Sequence, residues 1–475
     1  DTAKPASPST HEPNSTDPVA ARPAGPKTAD WKALGRDLEG TLLRPGDKGY
    51  GTATHLFDPR FDGGRPRGIV RAENAHDVSE AVRFARKYDL PMRSKAGGHS
   101  YVGASMVSRG MVIDTSTLDR VAYHRGDERV VVGAGAELGA LHDRLGRHGR
   151  TVPSGTCPTV GVAGLTLGGG LGVESRLYGL TQDAVVDMQV VTADRQIRHV
   201  DAGHHPDLFW ALRGGGGGNF AIVTRFTMRT FPAHRVEFFF LTWAERDAVA
   251  VVRGWQRRLG RMPRTAWANV HLDANDGSIE PRIVGLSFSG DGQRESRAMI
   301  RAVGRDPSDA SYTTKSHRGA MQLLAGSEGR RRQSFVAGTD VIGSRMRGPM
   351  LQDLAGVVRS RSRNGGGASV ILDPLDGRAG AREPASSAYP WRNALASLQW
   401  YVALPEPTRR AVVDGRSWIR RGHRAVEKRS VGGYVNYLEP GHRMRRYYGK
   451  HWKRVRQIAR EHDPQKAFHS RYSIR

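Results

Sequence analysis

Arg93-Ser94-Lys95-Ala96-Gly97-Gly98-His99-Ser100-Tyr101 runs straight out of a short apolar strand, Pro91-Met92-Arg93-Ser94. Consecutive glycines let backbone approach a ligand closely, and their free N–H groups form an anion-binding nest. Diphosphate is the natural guest of such a nest; a plain tight turn is the alternative reading. The stretch is not the nicotinamide fingerprint, because no Gly-x-Gly-x-x-Gly joins a strand to a helix here.

Two more glycine-rich segments lie downstream. Pro153-Ser154-Gly155-Thr156-Cys157-Pro158-Thr159-Val160-Gly161-Val162-Ala163-Gly164 is followed by Leu167-Gly168-Gly169-Gly170-Leu171-Gly172. So dense a run of glycine is a poor helix, at about 1 kcal/mol per residue. It suits backbone pressed against something flat. The third segment, Gly214 to Gly218, lies between the apolar Leu208-Phe209-Trp210-Ala211-Leu212 and the strand-like Phe220-Ala221-Ile222-Val223. It reads as a flexible linker or, better in that setting, as a backbone ligand site.

Around these segments strands and helices alternate. Gly68-Ile69-Val70-Arg71 is strand-like. Val78, Ala81, Val82 and Ala85 then recur at helical spacing, with Asp77 as candidate cap. Further strands are expected at 111–114, 129–133, 185–200 and 220–229, with a helix from Leu138 to His148. From Val236 long strands such as Phe238-Phe239-Phe240-Leu241-Thr242-Trp243 alternate with helices such as Ala244 to Leu259, which predicts an antiparallel sheet with helices on one side. The 360–388 stretch reads as a variable loop around a strand at Ser369–Leu372. Tyr434-Val435-Asn436-Tyr437 reads as a late strand and Tyr447 to His462 as one amphipathic helix.

At 475 residues the chain exceeds one core and predicts two domains. No stretch approaches the roughly 20 apolar residues of a membrane span, so no membrane partner is expected. Lys and Arg outnumber Asp and Glu, 73 to 47, giving a net charge of +26. The excess is scattered, with no basic run interleaved with aromatics, so it reads as a solvated basic surface and nucleic acid is not the expected partner. The sequence begins at Asp1 with no basic-then-apolar leader, and its first 30 residues are rich in Pro, Ala, Ser and Thr. They read as a mobile tail, and the expectation is a secreted bacterial protein with its signal peptide removed. Cys157 is the one cysteine, so no internal disulfide can form.

In this order and spacing the three glycine-rich segments resemble the FAD domain of the vanillyl-alcohol-oxidase (PCMH) fold, and within it the berberine-bridge-enzyme-like oxidases. Tyr434-Val435-Asn436-Tyr437, Tyr447-Tyr448-Gly449 and Asp463-Pro464-Gln465-Lys466-Ala467-Phe468 resemble the family's tail. Ala388-Tyr389-Pro390-Trp391-Arg392 also fits, although the family more often has His where Trp391 stands. The likeness spans roughly residues 45–475.

It implies an α+β architecture. After the tail of 1–30, a two-lobed FAD-binding domain would occupy 31–235 and a substrate domain, an antiparallel sheet backed by helices, 236–430. Residues 431–475 would return to the FAD domain. FAD would be bonded at its 8α-methyl carbon to His99 and at C6 to Cys157, the cysteine marking the bicovalent group. Its diphosphate would lie over the backbone of Ser94, Lys95, Ala96, Gly97, Gly98, His99 and Ser100, with Arg93 and Tyr101 also against the cofactor. Pro153, Gly155, Gly161, Gly164, Gly168, Gly169, Gly216, Asn219, Ile222, Val223 and Asn436 would complete the cofactor wall, and Val160 stands where the family controls oxygen access.

The implied reaction takes a hydride from a substrate C–H, with a base removing the paired proton and oxygen becoming hydrogen peroxide. Gln399 stands where relatives place an acid; it cannot be a base but can hydrogen-bond a substrate. Tyr437 is the expected base, Tyr434 the second choice. A strand would put them on opposite faces. A phenol near pKa 10 needs help, expected from a nearby cation. The expected substrate is a secondary alcohol or sugar lactol, plausibly on a glycosylated metabolite. Alternatives are oxidative cyclisation of a natural product, and a basic polymer-binding flavoprotein without turnover. Oligomeric state is not legible.

Overall fold

The computed structural model describes residues 24–275, 277–326, 329–363 and 367–474. Most of the expected tail lies outside the described residues. Its last part does not: a helix already begins at Thr28 and runs to Asp37, because Trp31 and Leu34 find a core to enter.

The first glycine-rich segment hangs from a small sheet. Strands Gly68–Arg71 and Met92–Lys95 pair in parallel on either side of Met111–Asp114. Thr41–Leu43, not anticipated, adds an antiparallel edge. The helix Ala75–Lys87 buries Val78, Ala81, Val82 and Ala85 on this sheet, as its spacing predicts. Its cap is Asn74, whose side chain accepts from the Asp77 N–H at 2.9 Å, not Asp77. Asp77 points inward, where its carboxylate accepts from the amides of Glu39, Gly40 and Glu73.

A five-stranded sheet follows, ordered Val121–His124, Arg129–Gly133, Ala221–Arg229, Val185–Thr192, Ile197–Val200. Its core takes in Leu138, Leu141 and Leu145 from the helix Leu138–Gly146, and Tyr447, Tyr448, Val455 and Ile458 from the end of the chain. The expected 447–462 helix is broken. A turn at Arg445–Tyr448 and the helix Trp452–His462 are separated at Gly449, whose φ of +47° lies in the left-handed region.

The third sheet has eight strands, all antiparallel: Asp309–Lys315, Val236–Thr242, Ser278–Ser287, Ala266–Asn275, Ala368–Pro374, Ala396–Ala403, Phe335–Ile342 and Ser430–Gly432. Strand alternation gives it two characters. Val270, Leu272, Val370, Leu372, Leu398 and Trp400 face a layer of helices and join one core with Trp255, Leu354 and Trp418. Each such side chain contributes about 1.5–3 kcal/mol by leaving water. Their neighbours Asn269, His271, Ile371, Asp373, Gln399 and Tyr401 face the other way, into a cavity.

One further expectation is corrected in part and one fails. The 360–388 stretch has its strand, Ala368–Pro374, and a connecting loop after it whose Ala388 N–H bonds the Trp210 carbonyl, but its first residues end the helix Gly348–Arg363; residues 364–366 lie outside the described residues. Tyr434–Tyr437 is not a strand. Pairing stops at Gly432, and Val435–Tyr437 forms a 3₁₀ turn. Among the described residues, no helix is long and apolar enough to cross a membrane.

Candidate active site

The cavity, about 990 Å³, lies between the glycine-rich segments and the inner face of the eight-stranded sheet. That is the upper end of ordinary ligand cavities, about 300–1,000 Å³, and suits a cofactor with a substrate beside it.

The glycine-rich wall is made by close backbone contact. A Cβ on Gly97 would lie 2.4 Å from the Gly161 nitrogen, so only glycine lets these two segments meet. Their meeting places His99 beside Thr159, with 2.9 Å between His99 Nε2 and Thr159 Oγ1. The ring also stacks on Phe57, centroids 3.9 Å apart. Burial depresses the His99 pKa to about 4, so the imidazole is neutral.

Cys157 lines the same cavity and its thiol is accessible. Burial of the thiol by its surroundings raises its pKa. The thiol is therefore protonated at rest, and its reactivity awaits a bound partner.

All of residues 93–101 line the cavity, as do Gly155, Val160, Gly161, Gly164, Gly216, Asn219, Ile222, Val223, Asn436, Tyr437 and Gln399. Four expected residues do not. Pro153 is buried behind the wall. Gly168 is pressed on the Asn436 side chain and Gly169 on the Tyr389 ring. Tyr434 is a buried bolt, its oxygen accepting from the Gly170 N–H (3.0 Å) and Asn436 Nδ2 (2.8 Å). Burial, only partly offset by those bonds, lifts its pKa to about 12. Of the two tyrosines, only Tyr437 can meet a ligand. They are also not on opposite faces: in the turn their rings meet edge-on, centroids 5.0 Å apart.

Tyr437 lies parallel to Tyr101, with centroids 5.0 Å apart and planes 7° apart. Tyr101 is fixed in turn by Gln399, whose Nε2 donates to its oxygen at 2.7 Å. Gln399 thus has its amide nitrogen committed to Tyr101, leaving its carbonyl oxygen for a ligand. A cation is expected beside Tyr437; among the described residues, none is among the groups that act on it most. Burial, then Tyr101, Asp373, Tyr434 and Cys157, all push its pKa well above 10. It is no free phenolate.

Asp373 was not anticipated. It extends the strand expected at 369–372, on the same face as Ile371, so alternation carried one residue further was the missed signal. Burial, only partly opposed by a 3.0 Å hydrogen bond from Asn269 Nδ2, raises its pKa to about 6. Across the strands, His271 is held neutral by burial, with a pKa of about 4. Arg282 is paired with Asp273 through Nε at 2.8 Å. The Asn269 oxygen is buried without a partner, an acceptor awaiting a donor. Phe240, Trp267, Leu323 and Leu324 form an apolar stretch of the same cavity.

The family model described as "FAD binding domain" matches residues 66–201. FAD-linked oxidoreductase YgaK of Bacillus subtilis is 30% identical over 428 residues, 86% of this chain and 91% of that protein. This chain is a berberine-bridge-enzyme-like FAD-linked oxidoreductase. The solved structure of BBE-like 1 from Physcomitrella patens superposes with a TM-score of 0.85 at 23% identity, covering 94% of this chain and 99% of that one. Glucooligosaccharide oxidase from Acremonium strictum, described as carrying a 6-S-cysteinyl, 8α-N1-histidyl FAD, gives 0.84 at 24%, covering 93% and 98%. The oxidoreductase binds FAD and is an enzyme. The residues fit that cofactor. The two glycine-rich segments that meet at Gly97 and Gly161 line one cavity of cofactor size, and the Cys157 thiol and the neutral His99 imidazole stand on that same wall.

Proposed function

We propose that this oxidoreductase holds FAD by two bonds, at His99 and at Cys157, and oxidises the hydroxyl-bearing carbon of a secondary alcohol or sugar lactol. The observation that carries the reading is the convergence of His99, Cys157 and Tyr437 on one cavity, with Asp373 acting on Tyr437. The attachment named for the Acremonium strictum enzyme supports the two bonds. When bound, FAD supplies the two-electron acceptor for the substrate C–H bond and hands the electrons to oxygen, giving hydrogen peroxide.

The chain's own part is proton transfer and orientation. Tyr437, too weak an acid to be a resting phenolate, takes the substrate's hydroxyl proton only as its own leaves. Asp373, with a pKa of about 6, is ionised at neutral pH and is the acceptor at hand. The Asn269 oxygen takes a second substrate hydroxyl, and the Gln399 carbonyl a third. Stacking keeps the Tyr101 and Tyr437 rings parallel, which aims the Tyr437 oxygen. Val160 on the cavity wall fits the access route for oxygen.

Phe240, Trp267 and Leu324 favour a substrate with a sizeable apolar part, so a glycosylated metabolite fits both halves of the cavity. That apolar stretch also supports the second reading, dehydrogenation or cyclisation of an unglycosylated natural product. Secretion belongs to the same proposal. It matches a chain with one cysteine, placed where the cofactor protects it.

Acid precipitation tests the attachment: the yellow colour is expected in the pellet, and colour left in the supernatant sinks both bonds. A panel of mono- and oligosaccharides with peroxide detection tests the substrate class. Silence across it, with peroxide from aromatic alcohols, favours the second reading.

A further inference from the structure

His423, on the helix Arg409–Val426, lies behind the cavity between two buried carboxylates. Its Nδ1 is 2.7 Å from Asp340 Oδ2 and its Nε2 2.9 Å from Glu439 Oε2. Asp340 and Glu439 are 1% and 4% exposed, so neither can turn to water. An imidazole serving two carboxylate acceptors at once carries a proton on each nitrogen. Burial alone would lower its pKa, but the hydrogen bonds to Asp340 and Glu439 outweigh burial and raise it to about 9.

This cluster is tied to the turn that carries Tyr437. Glu439 stands two residues beyond Tyr437, and its Oε1 accepts from the Thr339 N–H at 3.1 Å. The Thr339 hydroxyl accepts from the Tyr434 N–H at 3.3 Å. Asp340, next on the same strand, also accepts from Trp400 Nε1 at 2.8 Å and pairs with Arg446 at 2.7 Å. Gly338 leaves the room: a Cβ there would lie 2.6 Å from Glu439 Oε2. Strand pairing has already ended at Gly432. Side-chain bonds to Thr339 and the carboxylate–imidazole–carboxylate bridge therefore hold the 434–439 turn against the strand Phe335–Ile342.

We propose that His423 is a positioning residue, a buried imidazolium that clasps Glu439 to Asp340 and so holds Tyr437 parallel to Tyr101 over the cavity. The proposal rests on Tyr437 being the proton acceptor of the reaction. The other titratable or charged groups around the bridge are His442, 3.7 Å from Glu439; the guanidinium of Arg446 on Asp340; that of Arg416, from the helix of His423, acting on Glu439; and Tyr447, whose hydroxyl accepts from the Glu439 N–H. Removing the His423 proton breaks one arm of the bridge, because the freed ring nitrogen can no longer donate to its carboxylate while both carboxylates stay buried. The clasp therefore holds at neutral pH and opens as pH rises through about 9.

The test uses the flavin-loaded enzyme labelled with 3-fluorotyrosine, the Tyr437 fluorine signal being assigned by its loss in Tyr437→Phe. In the native enzyme a single sharp signal is expected at pH 7, broadening above about pH 9. In His423→Gln it should be broad or displaced at pH 7, with the acid-stable flavin content unchanged. The native titration needs no substitution at His423, so a His423→Gln that fails to fold does not block the test. A Tyr437 signal unmoved both by the substitution and between pH 7 and 10 overturns the clasp. With whichever sugar releases most peroxide, flavin reduction in His423→Gln should be about 10- to 100-fold slower, the scale of a misplaced reacting group. Its alkaline limb near pH 9 should also vanish. Normal reduction in Tyr437→Phe would remove Tyr437 from the chemistry yet leave the fluorine result standing, so the two failures are distinct.

Discussion

The two walls of the cavity are built by different means. The wall from Arg93 to Tyr101 and from Gly155 to Gly164 is mostly backbone, shaped by glycines that let Gly97 touch Gly161. The facing wall is side chains on a sheet: Asn269, His271, Asp373 and Gln399, presented by alternation across adjacent strands. A backbone wall binds whatever fits its shape and leaves its mark as glycine. A side-chain wall decides protonation and orientation, and it depends on register, turns and burial.

The sharpest attack on this division is Tyr437→Phe. It leaves the backbone wall intact and should slow flavin reduction by about 10²-fold or more, the lower range for losing a general base. Stopped-flow absorbance reads it, and a near-native rate would return the chemistry to the cofactor alone.

Asp373→Asn comes next. Reduction at pH 7 should fall by roughly 10- to 100-fold, on the scale of general-base loss. The native acid limb, where rate declines as pH falls through about 6, should disappear. Stability should move the other way. The folded pKa of Asp373 is raised above its unfolded 3.8, so ionising it costs the fold stability above about pH 6, and the cost is relieved as pH falls. The variant should melt no lower than native at pH 7; a large drop in melting temperature would recast Asp373 as structural.

Gly97→Ala attacks the other wall. Its Cβ would sit 2.4 Å from the Gly161 nitrogen, where only backbone can yield, costing about 1–3 kcal/mol as overpacking does. Acid-stable flavin per chain should fall, while the flavin that is loaded should be reduced at nearly the native rate. Full loading would show that the backbone contact is dispensable.

The smallest effect on rate is expected from Tyr434→Phe, which leaves the Gly170 N–H and Asn436 amide without their shared acceptor. Thermal unfolding should show a loss of about 1–3 kcal/mol, the cost of a buried unsatisfied donor. A rate loss matching that of Tyr437→Phe would make Tyr434 the base after all.

Much of the glycine-rich cavity wall was legible in the sequence because positive-φ turns and close backbone approach are demands that glycine meets and other residues do not. Gly168 and Gly169 show the limit. They satisfy the same demand against Asn436 and Tyr389, behind the wall, and composition does not say which neighbour requires the glycine. The 434–437 stretch misled differently. Its β-prone residues suit a strand, but side-chain bonds from Thr339 and Glu439 take it into a turn, and strand alternation then no longer separates Tyr434 from Tyr437.

The sequence by itself determined the family, the α+β class and the cavity wall that carries His99 and Cys157, because local backbone requirements and motif spacing are written along the chain. Only the tertiary structure decided which tyrosine faces the cavity, that Asp373 stands with it, and that burial and neighbouring acidic groups raise its pKa. Those are consequences of burial and of neighbours far apart in the chain: Tyr101, Asp373 and Tyr437 share one environment only after the sheet closes over the glycine-rich wall.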